Sequence, residues 1–156
     1  MRAVLQRVTH GSVQIENRTR SAIGNGMVVL LGVMKDDAEQ DADYLAKKII
    51  ELRIFEDADG KMNLSIRDRG GAILVVSQFT LCADCGKGRR PSFDNAAPPE
   101  QARKLYEYFT SKLKEQEDIS VKTGVFQAEM LVHIDNDGPV TIILDSRPAV
   151  AGDRSE

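Results

Sequence analysis

MVVLLGV, at residues 27–33, decides how the rest of the sequence is interpreted, because it forms most of the longest apolar run in the chain. A short continuous run of this kind is typical of a β-strand that is buried on both faces. Gly24-Asn25-Gly26 breaks the chain just before it, and the run ends at Met34. This apolar run is far shorter than a membrane-spanning helix, which needs about 20 residues. We predict a central strand here and no membrane partner.

Period-two alternation on either side of this run predicts further strands. Before it, strands are predicted over 2–9 and 12–16, with His10-Gly11 separating them. After it, a short strand is predicted over 62–66 and an apolar strand over 72–76 that continues to residue 81. The last part of the chain predicts strands over 120–126, 128–135 and 140–144. Asn136-Asp137-Gly138-Pro139 has the composition of a hairpin turn between the last two of these strands.

Two segments have helical periodicity instead. Apolar residues recur every three or four positions in 36–52, behind an acidic first turn. Pro98-Pro99-Glu100 begins a second helix that runs to Leu113, since proline is tolerated in a first helical turn. Roughly eight strands and two principal helices predict an α+β fold with a mostly antiparallel or mixed sheet, curled toward a barrel or sandwich. We expect one domain over 1–145 and a polar, flexible tail over 146–156.

Composition limits the classes of function. The 156 residues include 21 Lys plus Arg and 24 Asp plus Glu, so the net charge is -3 and any nucleic-acid contact must use a local basic cluster. The two cysteines cannot form the disulfide framework of a small secreted protein. No basic segment leads into an apolar stretch at the amino terminus. We expect a cytoplasmic protein.

Cys82 and Cys85 have the spacing of a thiol oxidoreductase, and His10 and His133 would complete the ligand count of a zinc site. No helical pattern follows the cysteine pair, and the two histidines lack a paired spacing. We therefore expect both cysteines to face solvent in a loop, with no metal and no cofactor.

A basic loop follows the cysteines. Gly86-Lys87-Gly88 lacks the upstream glycine and the following Ser or Thr of a nucleotide-triphosphate loop. Lys87, Arg89 and Arg90, with Phe93 nearby, instead form a cationic surface suited to a phosphate backbone. From these residues alone, two interpretations are open. The loop either contacts RNA, which would make the chain a non-catalytic tRNA- or RNA-binding module, or it is an ordinary solvated charged loop.

Ser77-Gln78-Phe79-Thr80 stands at the carboxyl end of the predicted apolar strand, where a site can rest on rigid backbone. The Gly-x-Ser-x-Gly elbow of serine hydrolases does not occur in the sequence. A threonine hydroxyl without a base is a weak nucleophile, so Thr80 is expected to orient a reacting group.

Four motifs together closely resemble the D-aminoacyl-tRNA deacylase family: MRAVLQRV at 1–8, SQFTL at 77–81, GRRPSF at 88–93 and NDGPVT at 136–141. The resemblance covers nearly the whole chain. It implies a homodimeric hydrolase that cleaves the ester between a D-amino acid and the terminal adenosine of tRNA. This chiral proofreading activity rejects L-aminoacyl-tRNA and accepts achiral glycyl-tRNA. No DNA partner is expected.

Position by position, the resemblance also implies roles for individual residues. It places Ser77, Gln78, Phe79 and Thr80 around the aminoacylated adenosine, Phe126 and Met130 on its adenine side, and Asn136 among the substrate-binding residues. Gly138-Pro139 matches the Gly-cisPro motif that one protomer inserts into its partner's site, and Arg7 matches the arginine that braces this motif. Lys87, Arg89 and Arg90 become candidate tRNA contacts. In this family either the matching threonine or the substrate's own ribose 2′-hydroxyl drives the attack, and we favour the hydroxyl.

Overall fold

A computed structural model describes residues 1–147 of the chain. Its strands are β1 (Arg2–Ile15), β2 (Arg18–Ile23), β3 (Gly26–Gly32), β4 (Phe55–Glu56), β5 (Met62–Leu64), β6 (Ala72–Ser77), β7 (Ser120–Thr123) and β8 (Leu131–Asp145). Its helices are α1 (Glu39–Glu51), α2 (Ile66–Arg69) and α3 (Pro99–Lys114), and a 3-10 turn covers Phe79–Cys82. The predicted α+β class is confirmed.

Strand β3 is central, as predicted. It pairs antiparallel with β1 on one side and parallel with β6 on the other. Met27 and Val29 pack into the larger hydrophobic core, whereas Val28 packs into the smaller one. Because successive side chains of a strand point to opposite faces, β3 contributes to a core on each face of the sheet. Its continuous apolar character therefore follows from burial on both faces.

The sheet is mixed and nearly closes into a barrel. β3, β6 and β7 are parallel to one another, and the pairings of β1 with β2, β3 and β8 are antiparallel. The hydroxyl of Ser21 on β2 donates to the carbonyl oxygen of Thr123 on β7 at 2.8 Å. This hydrogen bond joins two strands at opposite ends of the hydrogen-bonded order β2-β1-β3-β6-β7.

Helices α1 and α3 cover the larger core. Their buried stripes include Leu45 and Ile49 of α1 and Phe109 and Leu113 of α3, all fully buried. The recurrence at three- and four-residue steps that predicts these helices places the apolar side chains on one face of each. Both predicted helices are present, although α1 begins at Glu39, three residues later than predicted.

The predicted break at His10-Gly11 is wrong, because β1 runs without interruption through both residues. Gly11 is buried, and a Cβ atom there would lie 2.7 Å from Cγ2 of Val28. The glycine therefore permits close packing against the neighbouring strand and does not mark a turn. The following strand, β2, was not predicted.

The predicted hairpin turn at Asn136-Asp137-Gly138-Pro139 is also wrong. Strand β8 continues through these residues and remains antiparallel to β1 on both sides of them. Gln6 pairs with Thr141 and Val8 pairs with Asn136, so residues 137–140 of β8 lie opposite Arg7 alone. The turn-forming residues thus make a large irregular bulge, with four residues opposite one, within one long strand.

Several smaller boundaries differ from the prediction. The strand predicted over 62–66 ends at Leu64 and pairs with an unpredicted strand, β4, and Ser65 then caps the short helix α2. The strand predicted to reach residue 81 ends at Ser77 and continues as the 3-10 turn. The strands predicted over 120–126 and 128–135 shorten to β7 and the beginning of β8.

The two ends of the described chain meet beside α1. The amino group of Met1 donates to Asp37 at 2.5 Å and to Ser146 Oγ at 2.8 Å. Arg147 and Ser146 both donate to Asp41 of α1, at 2.8 and 2.7 Å. Residues 148–156, most of the predicted flexible tail, lie outside the described part. No helix within 1–147 is long and apolar enough to cross a membrane.

The carboxylate of Asp41 gives the fold a pH-dependent contribution to stability. The hydrogen bond from Arg147, with others from Ala38 and Ser146, holds the pKa of Asp41 well below its usual range. Because the pKa in the unfolded chain is about 3.9, this stability is present at neutral pH and is lost as the pH falls below about 4. We expect Asp41→Asn to lower the free energy of unfolding at pH 7 by about 1–2 kcal/mol.

Denaturant unfolding of the variant and the wild type at pH 7 and pH 3 measures this difference, which should shrink at the lower pH. Glu39→Gln is the matched control, since Glu39 is an exposed acid in the same first turn. An equal effect of both substitutions would mean that the helix dipole, and not the contacts with Arg147 and Ser146, is responsible.

Candidate functional site

A pocket of about 620 Å³ opens at the carboxyl end of β6. Its walls come from this strand end, from the segment that leads into α3, and from the segment between β7 and β8. The lining residues are Val33, Val76, Ser77, Gln78, Phe79, Phe93, Ala96, Ala97, Pro99, Ala102, Phe126, Gln127, Ala128, Met130 and Val132. None of these side chains carries a charge, so the pocket is suited to a neutral ligand group.

Ser77, Gln78 and Phe79 line the pocket, and Thr80 follows them in the sequence. The N–H of Gln78 donates to the carbonyl of Leu31 at 2.8 Å, which ties the end of β6 to β3. The 3-10 turn then begins, with the N–H of Leu81 donating to the carbonyl of Gln78. The first N–H groups of a helical turn have no partner within that turn. Those of Phe79 and Thr80 accordingly lack any hydrogen-bond acceptor within residues 1–147.

Thr80 is exposed beside the pocket and is not paired with a base. Its hydroxyl oxygen accepts a hydrogen bond from the side-chain amide of Gln78. Within the described chain, no His, Asp or Glu side chain is hydrogen-bonded to the hydroxyl of Thr80 or Ser77. An amide cannot remove a proton, so the contact orients Thr80 without activating it as a nucleophile.

Aromatic rings form part of the pocket wall. Phe79 and Phe93 pack at 5.1 Å between ring centroids, and both are substantially exposed. Phe126 packs against the ring of Tyr106, with centroids 5.7 Å apart, and against the guanidinium of Arg103, whose Cζ is 4.6 Å from the Phe126 centroid. These contacts fix the orientation of Phe126 at the pocket wall.

The contacts behind these rings hold the wall in place. The hydroxyl of Tyr106 donates to the carbonyl of Val75 at 3.0 Å. Burial raises the pKa of Tyr106 to about 12, so it remains a neutral donor at physiological pH. Met130 accepts a hydrogen bond from the N–H of Val125 on its sulfur at 3.3 Å. The wall is therefore built from neutral groups with fixed partners.

Gly138 and Pro139 lie on the exposed bulge of β8 and do not line the pocket. Their peptide bond is cis. The buried guanidinium of Arg7 donates to the carbonyls of Asp137, at 3.0 Å, and Ile54, at 2.9 Å. Asn136 accepts from the N–H of Val140 at 2.8 Å, which closes the bulge from within. Arg7 and Asn136 thus hold Gly138 and Pro139 at the surface.

The basic loop follows shortly after the 3-10 turn in the sequence. Lys87, Arg89 and Arg90 are all exposed. Paired backbone hydrogen bonds between Asp84 and Ser92, of 2.8 and 2.9 Å, close the base of this loop. None of the three cations forms a salt bridge with a residue in the described range. They are therefore accessible to an anionic ligand.

The two cysteines differ, and the prediction that both face solvent is wrong for Cys82. Cys82 is buried and its thiol donates to the carbonyl of Val33 at 3.4 Å, whereas Cys85 is exposed. Burial raises the pKa of the Cys82 thiol, which opposes formation of the reactive thiolate. No three His, Cys, Asp or Glu side chains of residues 1–147 are grouped to hold a metal ion.

Comparison with known proteins identifies the family. The family model for D-Tyr-tRNA(Tyr) deacylase matches residues 4–145. The D-aminoacyl-tRNA deacylase of Geotalea uraniireducens strain Rf4 is 58% identical over 146 residues, which are 94% of each chain. The chain belongs to the D-Tyr-tRNA(Tyr) deacylase family. The resemblance seen in the four sequence motifs is confirmed, and with it the hydrolase class.

Two solved structures are also similar to this chain. One is described as a c-Myc DNA unwinding element binding protein; it is 45% identical, with a TM-score of 0.89, over 96% of this chain and 100% of that one. The other is described as a probable eukaryotic D-amino acid tRNA deacylase. It is 18% identical, with a TM-score of 0.78, over 92% of this chain and 98% of that one, and it supports the fold.

Sequence reasoning missed part of the pocket. Ser77, Gln78, Phe79, Phe126 and Met130 were predicted and all line it. The small residues of the opposite rim, Ala96, Ala97 and Ala102, carry no chemical signal in the sequence. Arg103 and Gln127 were also missed, because their contacts with Phe126 and with each other arise only when α3 packs beside the segment before β8.

Proposed function

We propose that the chain hydrolyses the ester bond of D-aminoacyl-tRNA and rejects L-aminoacyl-tRNA. The observation that carries this proposal is the uncharged pocket at the end of β6, in a member of this family. The adjoining N–H groups of Phe79 and Thr80 have no acceptor within residues 1–147. An aminoacyl ester is already activated, so its hydrolysis needs positioning and stabilisation of the developing oxyanion more than a strong protein nucleophile.

The two N–H groups are suited to the oxyanion. Both belong to the beginning of the 3-10 turn and can donate to a ligand oxygen without first breaking a hydrogen bond, because they have no acceptor within the described chain. The terminal adenosine would lie against Phe126 and Met130, which line the far wall. The ester carbonyl would then face the N–H groups of Phe79 and Thr80.

Thr80 orients the substrate in this proposal, and the substrate's ribose 2′-hydroxyl assists the attacking water. The motivation is the contact made by Thr80, whose hydroxyl is held by the amide of Gln78 and not by a base. A nucleophilic threonine needs a neighbouring group that removes its proton. The 2′-hydroxyl is adjacent to the ester on the substrate itself and needs no such group from the protein.

Selectivity for the D-isomer requires a second protomer in this proposal. Gly138 and Pro139 are exposed and braced by Arg7, which suits insertion into a partner's pocket. The long strand β8 pairs with β1 alone among the described strands, and Leu131 and Ile143 on it are 59% and 64% exposed. A long unpaired strand edge with exposed apolar side chains is a favourable surface for association with a second copy.

The partner's Gly138 and Pro139 carbonyls would accept hydrogen bonds from the substrate's amino group. That contact fixes the α-carbon so that a D side chain points outward, whereas an L side chain would strike backbone. Glycine has no side chain to exclude, so glycyl-tRNA would also be accepted. Each tenfold of discrimination needs about 1.4 kcal/mol, which a clash with rigid backbone readily exceeds.

The exposed cations of the basic loop suit a contact with the tRNA backbone. Lys87, Arg89 and Arg90 supply local positive charge to a chain whose net charge is -3. Binding without catalysis is not favoured, because family membership carries the hydrolase class. The cytoplasmic location and the homodimer remain predictions.

The first test compares hydrolysis of D-tyrosyl-tRNA and L-tyrosyl-tRNA by the purified protein, with a chelator in half of the reactions. We expect loss of the D-ester only, at a rate that the chelator does not change. Loss of neither ester with retained tRNA binding would favour the binding module, and loss of both would contradict the proposed chiral selection.

Replacement of Thr80 tests its proposed role. Thr80→Ala removes the hydroxyl that Gln78 holds but leaves both backbone N–H groups, so we expect single-turnover hydrolysis to slow by about tenfold while tRNA binding is retained. Thr80→Ser, which keeps the hydroxyl, should restore most of the rate. Mass spectrometry of the quenched reaction should show no acyl-enzyme. Trapping of an acyl-Thr80 ester, or complete loss of turnover with normal binding, would make Thr80 the nucleophile.

Replacement of Gly138 tests the proposed chiral gate. At φ +132 an L side chain is strained, and a Cβ atom would lie 2.8 Å from Cγ2 of Val140 and 3.1 Å from Nη2 of Arg7. We expect Gly138→Ala to slow D-tyrosyl-tRNA hydrolysis by about tenfold or more while circular dichroism remains unchanged. Gly24→Ala is the matched control, because its Cβ atom would meet nothing within 4 Å.

Unchanged kinetics in Gly138→Ala would contradict this placement of the gate. Sedimentation of the wild type over a dilution series supplies the second arm of this test. A protein that remains monomeric at the concentrations where it hydrolyses only the D-ester would contradict the contribution of a partner.

A further inference from the structure

Arg103 is a fixed cation at the rim of the pocket. It follows the pocket-lining residue Ala102 on α3, and its Cζ lies 4.6 Å from the centroid of the Phe126 ring. One of its terminal nitrogens, Nη2, donates to the side-chain oxygen of Gln127 at 3.2 Å. Phe126 and Gln127 both line the pocket. Two contacts with the wall therefore hold the guanidinium beside the opening.

The charge of Arg103 is not neutralised by the protein in the described range, where no carboxylate forms a salt bridge with it. A guanidinium has five N–H donors, and the contact with Gln127 uses one of them. The adjacent Lys104 differs in this respect, because it pairs with Glu100 at 3.2 Å. Arg103 thus presents free donors and a full positive charge next to a pocket whose lining is uncharged.

We infer that Arg103, positioned by Phe126 and Gln127, is a binding subsite for the phosphodiester on the 5′ side of the terminal adenosine of tRNA. This inference rests on the proposed function, which puts that adenosine in the pocket. The phosphate is attached to the same ribose as the adenine, so it leaves the pocket where the RNA chain does, at the rim. No charged side chain of the pocket lining is available to meet it.

The chemistry of the guanidinium fits this ligand. Its planar fork of donors matches two oxygens of a phosphate, which gives a stronger and more directional contact than a single ammonium. Stacking on Phe126 holds the fork in place before the substrate arrives. Less side-chain entropy is then lost on binding than for a freely rotating surface arginine.

Arg103 is a positioning residue in this account, because it contacts the RNA backbone and not the ester. Its loss should weaken substrate binding and leave the rate of the bound ester largely unchanged. Neutralisation of one phosphate of a single strand contributes about 0.7 to the slope of log affinity against log salt. Arg103→Met should therefore make the fall of log affinity for tRNA with log salt less steep by about 0.7.

The experiment compares adenosine with adenosine 5′-monophosphate as inhibitors of D-tyrosyl-tRNA hydrolysis and, independently, as ligands in calorimetric titration. The two probes differ only in the 5′-phosphate. For the wild type we expect the monophosphate to bind about tenfold more tightly. Arg103→Met keeps the length of the side chain and should abolish this preference. Lys104→Met, the matched control on the next residue of α3, should retain it, and Arg103→Lys should retain part of it.

Equal affinities of the two probes for the wild type would overturn the inference. So would an equal weakening of both probes by Arg103→Met, since Arg103 would then only support Phe126. The same loss in Lys104→Met would assign the preference to general surface charge. Calorimetry separates this result from failure of the proposed function: a wild type that prefers the monophosphate but does not hydrolyse D-tyrosyl-tRNA supports the phosphate subsite and contradicts the hydrolase.

Discussion

Burial of both faces of β3 is the constraint on which the candidate site depends. Alternate side chains of this strand enter two separate cores, so it must have a strand on each side and cover on each face. Its parallel pairing with β6 extends from Gly26 opposite Ala72 to Leu31 opposite Ser77. Just past this ladder, the carbonyl of Leu31 accepts from the N–H of Gln78. The chain leaves the sheet there and forms the 3-10 turn, in which the N–H groups of Phe79 and Thr80 have no acceptor within residues 1–147.

The fold could be predicted from the sequence wherever a continuous or periodic apolar pattern reports burial directly. This applies to β3, to both long helices and to the α+β class. The pattern failed where a residue with turn chemistry has a tertiary role. Gly11 was interpreted as a break, but it is buried against Val28 in a continuous strand. Asn136-Asp137-Gly138-Pro139 has hairpin composition, yet the ladder with β1 resumes in the same direction, so the segment bulges. Local propensity cannot decide between these outcomes, because a partner strand determines them.

The candidate site was predictable to the extent that its residues are contiguous in sequence. The segment 77–80 carries its hydroxyl, amide and aromatic groups together, and its position after an apolar strand indicates a rigid support. Arg103 has no such signal, since on α3 it has the pattern of an ordinary exposed helical residue. Its contacts with Phe126 and Gln127 join segments more than 20 residues apart, and only packing brings them together.

The distribution of charge follows from the reaction. An activated ester is neutral at its reacting carbonyl, and a pocket lined by neutral groups can bind it without leaving a buried charge unpaired. The substrate's negative charge is on its RNA backbone, which remains outside the pocket in the proposed binding mode. Arg103 on α3 and Lys87, Arg89 and Arg90 on the loop are exposed cations, as contacts with an RNA backbone would require. In the proposed function, affinity for tRNA and chemistry at the ester therefore belong to different groups. A change in surface charge should then alter substrate binding without changing the N–H groups that are proposed to face the ester.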